Sequence, residues 1–133
     1  MPKKSRSSNG TTENSIPTRE RVLQAAAKIL SEKGYAGTRL TDVAEVAGLE
    51  APAIYYYFSS REELITEVMA VGQVRLREHV KEALNSLPLE STPMDRICVA
   101  IEVHLRVELQ LSDFATAMTR NSGQMPQDIR SRL

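Results

Sequence analysis

Residues 34–64 read GYAGTRLTDVAEVAGLEAPAIYYYFSSREEL, and this stretch predicts two short helices joined by a tight glycine turn. The first helix is expected over residues 40–47 and the second over residues 52–58, because proline suits a first helical position, where its missing N–H is not needed. The A-x-x-x-G-L spacing from Ala44 to Leu49 provides a small residue where two helices cross closely and a glycine where the turn demands a positive φ. This pattern indicates a helix-turn-helix.

The second predicted helix carries the run Tyr55-Tyr56-Tyr57-Phe58. Consecutive helical residues point in directions about 100° apart, so the three tyrosines cannot all be buried on one face. We expect Tyr55 and Tyr56 to face outward. Ile54 and Phe58 should be buried, with Tyr57 half-buried. Outward tyrosines on the second helix of a helix-turn-helix predict contact with the major groove of double-stranded DNA.

Helices are predicted on both sides of this stretch. The first covers residues 18–33 with one apolar stripe and ends at a glycine. A long helix is expected from Ser59 and Ser60 to about residue 86, because Ser59 with Glu62 and Ser60 with Glu63 both have the spacing of a capping box.

The last third of the chain restarts at Thr92-Pro93, an N-cap followed by a proline. Residues 99–111 alternate apolar and polar side chains, which is the period of a strand, yet apolar residues also recur once per helical turn, at positions 97, 101, 105 and 109. We favour a helix because a lone strand is not stable, and the strand remains the alternative. Further helices are predicted over residues 112–122 and 126–133, and the last has an apolar face barely begun, as in a fragment.

These elements predict an all-α protein. We expect residues 1–15 to form a disordered basic arm and residues 16–62 a three-helix helix-turn-helix DNA-binding domain. Residues 63–133 are expected to form an incomplete helical regulatory or dimerisation domain, joined by the long helix.

The charge distribution agrees with this order. The net charge is zero, but residues 1–61 hold nine Lys or Arg and six Asp or Glu, whereas residues 62–133 hold eight and eleven. A basic front half suits a protein that presents one end to phosphates. Lys3, Lys4 and Arg6 could contact the DNA backbone, with an inert solvated tail as an equal alternative.

Several classes of protein have no support. The chain has no apolar run of about 18 residues and no secretory signal, so we expect a cytoplasmic protein without a membrane partner. Cys98 is the single cysteine and is expected to be a small buried hydrophobe. His79 and His104 lack ligand spacing, so no metal site is expected. No nucleophile stands beside a base and no glycine-rich loop could hold phosphates, so neither an enzyme nor a cofactor is predicted.

The motifs G-Y-x-G-T, A-G-L, I-Y-Y-Y-F and S-S-R-E-E-L, in this order over roughly residues 18–70, resemble the N-terminal DNA-binding domain of TetR-type transcriptional regulators. The resemblance implies a homodimer that binds a palindromic operator, most often as a repressor. It also implies a small effector in the C-terminal domain that changes the spacing of the two DNA-binding heads.

Position by position, the resemblance implies a set of DNA-binding residues: Thr41, Ala51, Pro52, Ala53, Tyr55, Tyr56 and Arg61. We add Arg39, which together with Thr41 and Tyr56 should supply the polar contacts. Arg61 replaces the usual lysine at the start of the fourth helix and should neutralise a phosphate. Residues 51 and 53 are often Lys and Thr in the family, and alanine offers no bidentate hydrogen bond to a base. We therefore predict methyl contacts to thymine and a thymine-containing half-site.

Apolar side chains on the later helices are candidates for an effector pocket, although core filling is their more frequent role: Ile97, Ile101, Leu105, Phe114 and Met118. A second hypothesis also stays open. It is a helical self-association module that has lost effective DNA binding through truncation.

Overall fold

The computed structural model describes residues 16–111 and 113–132, and within these ranges the chain is helical without a strand. The all-α fold class is therefore confirmed. The predicted arm over residues 1–15 lies outside the described residues, as does Leu133. The elements are α1 Thr18–Lys33, α2 Leu40–Ala47, α3 Ala51–Ile54, α4 Arg61–Asn85, α5 Pro93–Arg106, a π-helical segment Val107–Leu111, α6 Asp113–Asn121 and α7 Gln127–Arg130.

The core surrounds α1, which packs against α2, α4 and α6. The predicted stripe of α1 is buried, and Ala25 and Ala27 are buried beside it because neighbouring helices cover more than one face. The first half of α4 contributes four further buried side chains: Leu64, Ile65, Val68 and Met69. Helix α1 is thus the element on which the others are assembled.

Of the two predicted capping pairs, Ser60 with Glu63 caps the start of α4, although the Glu63 carboxylate accepts from Ser59 and not from Ser60. Ser60 accepts a hydrogen bond from the Glu63 N–H at 3.1 Å, and the Ser59 N–H donates to the Glu63 carboxylate at 2.9 Å. The Ser59 hydroxyl also donates to this carboxylate. Hydrogen bonds from Ser59 lower the pKa of Glu63. The cap therefore favours the folded state while Glu63 is ionised, and this contribution is lost as the pH falls through the lowered pKa.

The segment that alternates apolar and polar residues is helical, so the strand alternative was wrong. Helix α5 begins with a capping box in which Thr92 and Asp95 exchange hydrogen bonds of 3.2 and 2.8 Å. It then widens into the π-helical segment, which the sequence pattern did not predict. Val107, the first residue of that segment, is buried, whereas no residue of α5 itself is buried. The widened turn therefore marks the point where this part of the chain joins the core.

Cys98 is exposed, contrary to the prediction of a buried thiol. It lies in α5, which packs against α4 and the π-helical segment but buries none of its own residues fully. The tendency of free cysteine to be buried did not apply because this helix lies at the edge of the described fold. Within the described ranges, no helix combines the length and apolar character needed to cross a bilayer.

Helices α4 and α6 approach each other closely at Gly72. A Cβ atom placed on this buried glycine would lie 2.8 Å from the carbonyl oxygen of Phe114 and 3.4 Å from the Cβ of Met118. Any side chain at position 72 would therefore force the two helix backbones apart. This contact joins the long helix to the element that also packs on α1.

Replacing Gly72 with alanine should destabilise the protein. The added methyl group meets a backbone atom, and this overpacking should outweigh the gain in helix propensity, leaving a net loss of about 1–2 kcal/mol. Thermal unfolding followed by circular dichroism should show a midpoint several degrees lower. Gly123→Ala is the matched control, since a Cβ there has no atom within 4 Å. Equal midpoints for both variants would contradict the close crossing.

Candidate nucleic-acid interface

The turn between α2 and α3 is built on Gly48, as predicted. Gly48 has φ 72° and ψ 36°, and its N–H donates to the Glu45 carbonyl at 3.1 Å. The next N–H, that of Leu49, reaches the Ala44 carbonyl at 2.8 Å. These two bonds form a Schellman motif, which satisfies the last carbonyls of α2 and needs a residue that tolerates the left-handed conformation. The direction in which α3 leaves α2 is therefore set by local backbone geometry.

A cation from α1 completes this turn. The Arg21 guanidinium donates to the Ala47 carbonyl at the C-terminal end of α2, where positive charge is favourable. It also lies 3.3 Å from the position that a Cβ on Gly48 would occupy. The sequence pattern did not predict this contact of Arg21. The signal it offered was a charged side chain directly beside the apolar stripe of α1.

Helix α3, the second helix of the helix-turn-helix, is shorter than predicted. Only residues Ala51–Ile54 are α-helical, and residues 55–57 form a turn instead of continuing the helix to Phe58. In this turn the Tyr56 N–H donates to the Ala53 carbonyl oxygen at 3.3 Å, and the Tyr57 N–H donates to the Ile54 carbonyl oxygen at 2.9 Å. Such bonds over three residues tighten a helix end. The tightening lets the chain bring Phe58 into the core before α4 begins.

The tyrosines are oriented as the sequence predicted. Tyr55 is 59% exposed and Tyr56 is 84% exposed, whereas Ile54 and Phe58 are buried. Tyr57 is half-buried and packs edge-on against the Tyr56 ring, with the centroids 5.0 Å apart. Two buried anchors therefore hold a short segment whose large aromatic side chains face solvent.

The remaining candidates divide into exposed and half-buried residues. Arg39 precedes α2 in an extended conformation and is exposed, and Thr41 is exposed in the first turn of the same helix. Pro52 is exposed, while Ala51 and Ala53 are half-buried. The N-terminal turns of both α2 and α3 thus offer accessible side chains.

Arg61 is oriented differently from the expected phosphate contact. Its Nη1 donates to the carbonyl oxygens of Tyr35 at 2.7 Å and Thr38 at 3.0 Å, and its guanidinium lies 4.5 Å from the centre of the Tyr35 ring. Glu62 lies 3.5 Å from its Nε. The side chain therefore holds the connection between α1 and α2 in place. Its fork of donors suits two neighbouring carbonyls as well as it suits a phosphate.

The same connection is held from the other side by α6. The side-chain oxygen of the buried Asn121 accepts a hydrogen bond from the Tyr35 N–H at 2.9 Å. Its side-chain NH2 donates to the carbonyl oxygens of Leu30 at 3.2 Å and Ala117 at 2.8 Å. Arg120 also donates to the Ser31 carbonyl at 2.8 Å. The C-terminal end of α1 thus finds its hydrogen-bond partners on α6. The sequence offered no signal for this contact, because its partners are 86 to 91 residues apart.

The net positive charge of the described interface is small. Residues 16–61 contain six Lys or Arg and five Asp or Glu, so most of the excess in residues 1–61 belongs to the tail. Lys33 moreover lies 3.6 Å from Asp42 in an ion pair. Charge alone therefore does not make this face a strong phosphate binder.

A groove of about 780 Å³ lies between α4, α5 and α6, away from the helix-turn-helix. Its lining comprises Gln73, Leu76, Arg77, Val80, Lys81, Leu84, Asn85, Arg96, His104 and Met118. This volume falls within the range of small-molecule sites.

Of the five apolar candidates for an effector pocket, only Met118 lines this groove. Ile97, Ile101 and Leu105 are 54%, 55% and 49% exposed, because they occupy a face of α5 that no described element covers. Phe114 is buried, with the Arg75 guanidinium 4.2 Å from its ring centre. The structure does not bring these five residues together. The helical spacing of apolar residues predicted the apolar face of α5, but it could not predict which element this face contacts.

Metal chemistry has no support in the part of the chain that the structure describes, where no group of three His, Cys, Asp or Glu could hold an ion. His104 instead lies 2.9 Å from the Glu108 carboxylate, one helical turn away.

Comparison with known proteins agrees with this geometry. Residues 22–68 match the model of the bacterial regulatory proteins of the tetR family. The transcriptional repressor NicS of Pseudomonas putida is 34% identical over 68 residues, which are 51% of this chain and 28% of NicS. The chain spans less than half the length of the curated relatives that it matches.

Solved structures share the fold. PfmR, a TetR family transcriptional regulator from Thermus thermophilus, gives a TM-score of 0.68 at 28% identity, over 88% of this chain and 61% of PfmR. AibR, crystallised with isovaleryl coenzyme A and operator DNA, gives 0.76 at 18% identity, over 87% and 62% of the two chains. At this lower identity, the likeness to AibR concerns the fold alone.

Replacing Arg61 with glutamine should lower the free energy of unfolding by about 1–2 kcal/mol, because two carbonyls lose a charged donor and the Tyr35 ring loses its cation. Urea unfolding measures the difference. Arg39→Gln is the control, since that exposed residue should change stability by no more than about 0.5 kcal/mol. If Arg61→Gln unfolds at the same urea concentration as the control, Arg61 does not stabilise the connection.

Proposed function

Because this chain belongs to the TetR family of bacterial regulatory proteins through residues 22–68, we propose that it is a ligand-responsive repressor that binds a palindromic operator as a homodimer. Residues 16–62 act as the DNA-binding head, and residues 63–133 belong to the regulatory part. The observation that carries the proposal is the exposure of Tyr55 and Tyr56 on a segment anchored by Ile54 and Phe58. A self-association module without DNA binding has no use for this arrangement.

In the proposed complex, the N-terminal end of α3 enters the major groove. Pro52 and the adjacent alanines supply methyl and methylene contacts to thymine, and Tyr55 and Tyr56 contact phosphates and bases. Arg39 and Thr41 contact the backbone from the start of α2. Arg61 acts indirectly, because it holds the connection that leads into Arg39. In a dimer, two such heads read half-sites about 34–36 Å apart.

The arm supplies much of the attraction to phosphate in this proposal. The described residues up to Arg61 have a net charge of only +1, from six cations and five anions. Lys3, Lys4 and Arg6 raise the count of cations in the N-terminal half to nine. Since sequence-independent affinity follows the number of neutralised phosphates, these three cations would raise the affinity for any DNA.

Helix α6 provides a physical route from effector to DNA. Met118 lines the groove, and Asn121, about one turn further along the same helix, bonds to Tyr35 and Leu30. A ligand that shifts α6 therefore acts on the connection that positions α2. If the effector weakens operator binding by a given factor, DNA must weaken effector binding by the same factor.

Alanine at Tyr55 or at Tyr56 should weaken operator binding about tenfold or more, because each loses an exposed aromatic contact without disturbing the core. Duplexes selected by the protein from a random-sequence library provide the operator, and fluorescence anisotropy measures affinity. Met94→Ala, at an exposed apolar residue on α5, is the control. Selected sites should be palindromic and contain thymine. Unchanged affinity in both tyrosine variants would refute the proposed interface.

The triple variant Lys3→Gln, Lys4→Gln, Arg6→Gln should reduce the slope of log affinity against log salt by up to about 2.7, because each phosphate contact contributes about 0.9. The loss should be similar for operator and random DNA. The uncharged triple variant Ser5→Ala, Ser7→Ala, Ser8→Ala in the same arm is the control. A slope unchanged from the wild type would mean that the arm is an inert tail.

A further inference from the structure

We propose that the groove between α4, α5 and α6 selects amphipathic organic anions, of which medium-chain carboxylates are the simplest. The effect of such a ligand on DNA binding rests on the function proposed above, whereas its binding to the groove does not. The inference comes from the arrangement of charge and apolar surface along the groove.

Helix α4 presents two parallel stripes to the groove. Residues four apart lie on one face of a helix. Leu76, Val80 and Leu84 form the apolar stripe, and the adjacent polar stripe consists of Gln73, Arg77, Lys81 and Asn85. A ligand lying along α4 therefore meets hydrocarbon on one side and cations on the other.

Helix α5 adds positive charge to the opposite wall through Arg96, and the lining contains no Asp or Glu. Among the described residues, the ion pairs do not involve Arg77, Lys81 or Arg96. His104, by contrast, pairs with Glu108. Lys81 also borders a smaller cavity lined by Glu78 and Glu82, so the two arginines carry the argument.

This charge pattern discriminates between ligand classes. An arginine fork binds a carboxylate through two parallel hydrogen bonds, and such charged bonds are roughly twice as strong as neutral ones. An organic cation would meet like charges from both walls, which is unfavourable. A neutral apolar molecule would use the Leu76 stripe alone and gain nothing from the arginines, which are exposed and stay hydrated.

The size of the apolar stripe indicates the length of the tail. Leu76 and Leu84 are eight residues apart on α4, which corresponds to about 12 Å along the helix axis. That distance suits a medium-chain acyl group. Met118 on α6 also lines the groove, so the tail would contact the helix that holds Tyr35 through Asn121.

The test uses the full chain and isothermal titration calorimetry without DNA, with decanoate as the probe below its micelle concentration. Decanol and decyltrimethylammonium carry the same tail with a neutral and a cationic head. We expect saturable binding of decanoate and at least about tenfold weaker binding of the other two, because the charged hydrogen bonds are lost. Equal affinity for all three probes would overturn the proposal, since the groove would then select only the tail.

Variants locate the site. Arg77→Gln and Arg96→Gln should each weaken decanoate binding about tenfold. Arg106→Gln, which removes an arginine of α5 outside the groove lining, should leave it unchanged. Circular dichroism confirms that each variant is folded. If decanoate binds the two groove variants as tightly as the Arg106 variant, its site lies elsewhere and the proposal fails.

DNA binding is measured separately, so the two proposals can fail independently. Operator binding without decanoate binding would refute the ligand class and leave the regulator. Decanoate binding that depends on Arg77 and Arg96, in a chain that does not bind DNA, would support the groove and refute the regulator.

Discussion

The backbone of Tyr35 is the point on which the arrangement of this molecule depends. Its N–H donates to Asn121 on α6, and its carbonyl accepts from Arg61 at the start of α4. Tyr35 lies between α1 and α2, so the helix-turn-helix is positioned by side chains from two elements outside it. Because these backbone groups are partly buried and lose a hydrogen bond when either partner leaves, neither partner can move away freely.

This constraint explains how a helix of four residues can be a functional element. An isolated helix of that length does not form in water, because nucleation is unfavourable. Here the turn at Gly48 fixes its start, and the buried Ile54 and Phe58 fix its end. The rest of the surface can then carry tyrosines without contributing to the core. Rigidity comes from the surroundings, and a movement of α6 would therefore be transmitted to the helix-turn-helix.

The parts of the site that were predicted correctly depend on local chemistry. The glycine turn, the Ser60 and Thr92 caps and the outward tyrosines each follow from residues within a few positions of one another. The contacts that the sequence did not reveal have the opposite origin. Arg61 binds carbonyls 23 and 26 residues away, and periodicity indicates the apolar face of α5 but cannot show what that face contacts.

The sequence by itself determined the longer helices, the position of the glycine turn and the two tyrosines that face outward, since these follow from backbone propensity, capping and the helical period. Only the tertiary structure decided that Asn121 and Arg61 hold Tyr35, that Gly72 allows α6 onto α4, and that cations from α4 and α5 line one groove. The physical reason is distance along the chain. These contacts join residues that no local pattern connects, and they form only when whole helices pack.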